Sequence, residues 1–115
     1  MIVYSWADFD TDVSQLVAQI RKKGKKYSSI FSLPRGGLPL GVTLSHLLDL
    51  PLKFDEPEEH SLVVDDIADS GKTLSPFIDK YDIATLHKHK HCPFVPTYWV
   101  REIDQYVVYP WEREK

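Results

Sequence analysis

An α/β fold, a parallel sheet with helices on both faces, is what this sequence predicts. Three observations lead there. Short apolar runs of strand character alternate with segments of helical spacing. The connections are short, and strand–helix–strand order with short connections gives parallel neighbours. The two segments least like ordinary loops, Pro34-Arg35-Gly36-Gly37 and Asp65 to Thr73, each follow a strand. Both therefore belong at the carboxyl edge of the sheet, where such folds bind ligands. At 115 residues the chain suffices for one domain, 1–115, and not for two.

The elements follow in order. Ile2 to Ser5 reads as a short strand, and Asp8 to Asp12 offer helix N-caps. Val13, Leu16, Val17 and Ile20 make one apolar stripe; Arg21, Lys22 and Lys23 suit a helix C-terminus, and Gly24 is its stop. Ser29 to Leu33 is a strand, and Pro34 to Gly37 must turn. Leu38 to Leu48 is helical, with Leu40, Leu44, Leu47 and Leu48 on one side. Leu50 to Phe54 is extended, and Asp55 to Glu59 is an acidic loop. Ser61 to Val64 is a buried strand ending in Asp65-Asp66, and Ile67 to Lys72 is a loop. Thr73 to Lys80 reads as a short helix with Pro76 in its first turn. Ile83 to His87 is a strand that His87 to His91 continue or leave, and Tyr106 to Tyr109 is a late strand closed by Pro110-Trp111-Glu112.

Composition narrows the function classes. Fourteen Lys+Arg against seventeen Asp+Glu give a net charge of -3, which argues against nucleic-acid coating. No apolar run approaches the roughly 20 residues that span a bilayer. Met1 to Trp6 has no signal-peptide character, so a soluble cytoplasmic domain is expected. A single cysteine, Cys92, excludes an internal disulfide and a multi-thiolate zinc site.

The chemistry is concentrated in Leu62 to Thr73. An apolar strand delivers Asp65 and Asp66; Asp69 follows, then hydroxyls at Ser70 and Thr73 around Gly71 and Lys72. Backbone amides from Ser70 to Thr73, with a helix N-terminus behind them, can cradle an anion. Adjacent carboxylates can accept hydrogen bonds from vicinal sugar hydroxyls. The stretch thus suits a sugar phosphate, diol at one end and phosphate at the other. The plainer alternative is an acidic loop that only caps a helix. A Walker A loop also ends in Gly-Lys-Thr but needs glycine where Asp66 stands, so that reading fails.

Val63 to Thr73 resembles the phosphoribosyl pyrophosphate (PRPP) signature of type I phosphoribosyltransferases, and Ser32 to Leu38 resembles that family's pyrophosphate loop. Trp6 and the Tyr106 to Glu112 segment are similar to the xanthine-guanine and hypoxanthine-guanine branch. The resemblance runs along nearly the whole chain and implies a minimal form of that fold. It implies that Asp65 and Asp66 hold the ribose hydroxyls, with or without a bridging Mg2+, and that Asp69, Ser70, Gly71, Lys72 and Thr73 bind the 5'-phosphate. Arg35 and the amides of Gly36 and Gly37 would face pyrophosphate, next to a cis Pro34–Arg35 peptide. Asp69 would also serve the purine's five-membered ring as general base or acid. Tyr106 and Val107 would line the base, and Lys88, His89 or Lys90 would read its exocyclic oxygen, with Lys88 the first candidate.

Two features stand apart. His87, His89 and His91 would share one strand face. Their spacing is no recognised zinc pattern and lysines flank them, so they read as a polar strand end lining a pocket or an interface, with zinc or copper binding the minor alternative. The flexible hood of the family has no counterpart: only Lys53 to His60 separate the strands it would join, and that segment is acidic. The expectation is therefore magnesium-dependent transfer between PRPP and a nitrogenous base, a 6-oxopurine first, giving a nucleoside monophosphate and pyrophosphate. A non-catalytic PRPP- or nucleotide-binding module is the alternative, and a hydrolase releasing ribose 5-phosphate a weaker one. The family and the small core both point to a homodimer.

Overall fold

A computed structural model describes residues 1–112. Five parallel strands form the sheet: β2 (Ser29–Ser32), β3 (Leu52–Lys53), β4 (Ser61–Ala68), β5 (Asp82–His89) and β6 (Arg101–Ile103), in the order β3-β2-β4-β5-β6. β1 (Ile2–Val3) and β7 (Val107–Val108) pair in parallel as a separate two-stranded ribbon. The α/β class and the parallel sheet are as the sequence predicts.

Helix α1 (Trp6–Lys23) starts earlier than expected. Its N-cap is Ser5, not a residue of Asp8 to Asp12: Ser5 Oγ accepts from the Asp8 N–H, and the Asp8 carboxylate accepts from the Ser5 N–H. That reciprocal box satisfies two donors that a start at Asp8 would leave open. Gly24 stops the helix at φ 71, as expected. Asp12 turns inward instead of capping; it is 1% exposed and accepts from Tyr4 Oη at 2.6 Å and Arg101 Nε at 2.8 Å.

Helix α2 (Leu38–Leu48) packs beside α1 on the same face of the sheet, over Ile30, Leu62, Val64, Ala84 and Leu86. It sits unusually close to β2. A Cβ on Gly41 would lie 1.3 Å from Ser32 Oγ, and Ser32 is fully buried. Gly41→Ala should therefore lower stability by about 1–3 kcal/mol or more, the range for overpacking a tight core. A fall in urea midpoint at unchanged m-value checks this; an unchanged midpoint would contradict it.

The other face is covered differently from expectation. Phe31, Val63 and Ile83 are buried there under Leu74, Phe77, Ile78 and Tyr81. Those residues have helical spacing, yet 71–80 is a succession of turns and not a helix. Pro76 has no N–H to give the Lys72 carbonyl, and Ser75 Oγ takes that carbonyl instead, at 3.2 Å. β4 also runs further than expected, so Asp65 and Asp66 lie within it. β6 is an additional strand beyond those the sequence predicts; of its residues only Ile103 is buried.

Candidate functional site

β2 and β4 lie side by side in register, Ser32 opposite Val64, so the turn after β2 crosses the upper part of β4. Leu33 N–H donates to the Val64 carbonyl, and Gly37 N–H donates to the Leu33 carbonyl. The Pro34–Arg35 peptide is cis. A Cβ at Gly37 would come within 2.7 Å of both the Leu33 and Val64 carbonyl oxygens, so only glycine fits between these backbones. One at Gly36 would sit 2.5 Å from Asp66 Oδ2, which places the turn directly on the acid pair. Gly37's amide is already used; Gly36's makes no hydrogen bond within the described residues. The Arg35 side chain is exposed beside them.

Asp65 and Asp66 are partly buried neighbours, and Asp65 Oδ1 accepts from the Asp66 N–H at 2.9 Å. Burial, with the Asp66 charge added, pushes the Asp65 carboxyl up to about 8, and burial also raises Asp66. Among the described residues no Lys, Arg or His forms an ion pair with either. Two crowded carboxylates without a cation are suited to a diol's donors or to a divalent cation. Above them a cavity of about 260 Å3 is lined by Asp65, Asp66, Asp69, Ser70, Gly71 and Thr73. The amides of Ser70, Gly71 and Thr73 make no hydrogen bond within the described residues. With no helix at Thr73, it is these amides, and not a helix dipole, that can receive an anion. Lys72 stands off the wall of this cavity and is exposed.

A second cavity, about 330 Å3, is lined by Asp66, Asp69, His89, His91, Tyr106 and Val107, among others. The two cavities share Asp66, Ile67 and Asp69 as a common wall. Asp69 thus stands at the junction, and its carboxylate is in close contact with His91 Nε2. Tyr106 is 69% exposed, a free aromatic face at the rim. A larger cavity, about 630 Å3, opens at the amino edge of the sheet near Lys25, Tyr27 and Asp82, whose polar groups already pair with one another.

Solved structures share this fold. A purine phosphoribosyltransferase from Pyrococcus horikoshii superposes with TM-score 0.87 at 28% identity, over 99% of this chain and 95% of that one. The chain has the type I phosphoribosyltransferase fold. The xanthine-guanine-hypoxanthine phosphoribosyltransferase of Helicobacter pylori shares that fold, with TM-score 0.86 at 22% identity over 96% of this chain and 92% of that one. So does a hypothetical protein from Neisseria gonorrhoeae with bound ppGpp, with TM-score 0.77 at 21% identity over 97% and 89%. No protein-family model and no curated protein matches the sequence.

Within this phosphoribosyltransferase fold the strand after residue 82 distributes its side chains by strict alternation. Lys88 points away from the second cavity; it is 8% exposed and its Nζ pairs with Glu102 at 3.3 Å. His89 takes the cavity side. His87 is buried lower on that side, with Nδ1 2.8 Å from Tyr109 Oη, and burial lowers it to about 4, so it stays neutral. The three histidines therefore do not act as one face: the chain turns at Lys90, and His91 folds back toward Asp69. His89, His91 and Tyr109 join Tyr106 and Val107 on the cavity wall. Period-two alternation already put Lys88 opposite His89; only the fold shows which of them faces inward. Residues 54–60 link β3 to β4 as bends and a turn, with no hairpin above the site.

Proposed function

We propose that the chain is a phosphoribosyltransferase that joins a 6-oxopurine to PRPP, giving a nucleoside monophosphate and pyrophosphate. The observation carrying this reading is the pair of adjoining cavities with Asp66 and Asp69 as their common wall. One has an acid pair and free amides for ribose and 5'-phosphate; the other has an exposed aromatic and imidazoles for a base. The 28%-identical Pyrococcus protein, a purine phosphoribosyltransferase, is matched over 95% of its own length and so has little additional chain to serve as a hood.

In this reading Asp65 and Asp66 accept hydrogen bonds from the ribose 2'- and 3'-hydroxyls and hold the sugar still. The amides of Ser70, Gly71 and Thr73 hold the 5'-phosphate. Arg35 and the Gly36 amide face pyrophosphate, while Gly37 keeps the turn close to β4. As the C1'–oxygen bond breaks and purine N9 bonds to C1', the base gives up a proton, and Asp69 is placed to take it. The residues mainly orient two reactants and stabilise charge. A Mg2+ held by Asp65 and Asp66 would supply positive charge toward the departing pyrophosphate.

Tyr106→Ala should raise the KM for the purine by about 5- to 100-fold, the range for losing one aromatic stack on a base. PRPP binding should be unaffected. An unchanged purine KM in a folded variant would remove Tyr106 from the base site.

The second reading, a nucleotide-binding module without turnover, is favoured by the exposed acidic stretch Asp55 to Glu59, which cannot cover pyrophosphate. The Neisseria protein of this fold was found with ppGpp bound. A panel of purines and pyrimidines with PRPP and Mg2+, read as pyrophosphate release, separates the readings. Release that depends on a 6-oxopurine supports transfer; release without any base indicates hydrolysis to ribose 5-phosphate; no release, with binding intact, leaves the module.

A further inference from the structure

The wall of the second cavity carries a cluster of ligand side chains. Asp69, His89 and His91 each present a ligand atom there, and these atoms lie within 4.8 Å of one another. The rings of His89 and His91 are stacked, centroids 3.7 Å apart and 20° from parallel, and His91 Nε2 contacts the Asp69 carboxylate. We propose that Asp69, His89 and His91 form a binding site for a borderline divalent transition metal of the zinc class, with its fourth position open to the cavity.

Donor chemistry supports this choice. Two imidazoles and one carboxylate are a common zinc-class set, and three protein ligands with an open position are the pattern of accessible metal sites. Magnesium and calcium prefer oxygen donors, so the same residues select against the ion expected at Asp65 and Asp66. The field is favourable as well. Asp66 and Glu112 line the same cavity, whereas Lys88 turns away onto Glu102 and Lys90, between the two histidines, is exposed and off the cavity wall. The flanking lysines that count against a metal on an extended strand thus lose part of their weight. His87, the third histidine of the run, lies outside the set: it is buried beside Tyr109 and does not line the cavity.

The three ligands are also free to adjust. Asp69 and His91 have half-exposed side chains, 53% and 59%. Only a long 3.3 Å hydrogen bond from the His91 N–H ties Nδ1 of His89. Ligand atoms around tetrahedral zinc sit roughly 3.3 Å apart, given metal–ligand bonds near 2.0 Å, so a small side-chain rotation closes the set. Metal binding stands independently of catalysis. If Asp69 is also the base of the transfer reaction, occupancy would additionally inhibit turnover, a consequence that rests on the proposed function.

The test titrates the full chain with Zn2+ by calorimetry and with Co2+ by visible absorption. About one equivalent of Zn2+ is expected, with the intense d–d bands of four-coordinate Co2+. His89→Ala and His91→Ala should each weaken binding by about tenfold or more, and the double variant should abolish the Co2+ bands. His46→Ala, at an exposed histidine on α2, should change nothing. His89→Gln and His91→Gln, with circular dichroism, guard against a folding defect. Octahedral, weak Co2+ absorption, or affinity untouched by the folded double variant, would overturn the site. If the metal binds but the metal-free chain shows no transfer activity, the site stands and the transferase reading falls.

Discussion

Asp65→Asn combined with Asp66→Asn should weaken PRPP binding by about 100-fold or more while making the free protein more stable. The loss follows from two hydrogen bonds to ionised acceptors, each contributing about 1.5–3 kcal/mol. The gain follows from the crowding. Burial and the Asp66 charge raise Asp65 to about 8, so at neutral pH the fold works against an ionised pair with no cation partner among the described residues. A carboxyl raised on folding binds its proton more tightly in the native state. Its contribution is present below the unfolded value near 4 and is lost as pH rises through about 8. The melting temperature of the wild type should thus decline across that window more steeply than that of Asp65→Asn. At pH 8 the variant should lead by about 1–3 kcal/mol, the scale for an uncompensated buried polar group. Parallel pH profiles for the two proteins would mean that the pair is hydrated and unstrained. Mg2+ with PRPP should also reverse the decline, because any ligand that binds only the native state stabilises it.

Asp69→Asn should lower kcat by about 100- to 10,000-fold, the usual contribution of a positioned general base. Its effect on PRPP should be small and of opposite sign. The carboxylate stands at the junction between the two cavities, beside the free amides of Ser70 and Gly71, so removing its charge favours a bound phosphate. The expected signature is a collapsed kcat with the KM for PRPP unchanged or lower. Steady-state kinetics with each substrate varied in turn checks it. A variant with near-normal kcat would take Asp69 out of the chemistry and leave it as a wall residue paired with His91.

Much of the site was legible because glycine, proline and clustered carboxylates leave local signatures. Pro34 to Gly37 and Asp65 to Thr73 can be read as carboxyl-edge segments from residue type alone, and the structure puts both at one edge, although β4 runs on through Asp65 and Asp66 to Ala68, and Gly36 leaves no room for a Cβ beside Asp66. Helix α2 was legible to the residue, since Pro39 near its start and the leucine spacing agree. The segment 71–80 was not. Leu74, Phe77, Ile78 and Tyr81 have the spacing of an apolar helix face, and turns can bury the same side chains against Phe31 and Val63. Local pattern records that these residues are buried and not which backbone buries them. β6 has little local signature because Arg101 and Glu102 face solvent, leaving Ile103 as its one apolar anchor. The histidine run was misleading for another reason. Period-two reasoning holds only while the strand lasts, and it ends at His89. The approach of His91 to Asp69, residues 22 apart in sequence, is tertiary and leaves no local trace.

The most direct measurement is a calorimetric titration of the chain with PRPP in the presence of Mg2+, repeated with a nucleoside monophosphate as competitor. A 5-phosphoribosyl cleft made by Asp65, Asp66 and the Ser70 to Thr73 amides requires saturable binding, competition by the monophosphate, and loss of both in the Asp65→Asn, Asp66→Asn variant. No heat from either ligand with a folded wild-type chain would contradict it, leaving a phosphoribosyltransferase fold whose cavities serve some other molecule.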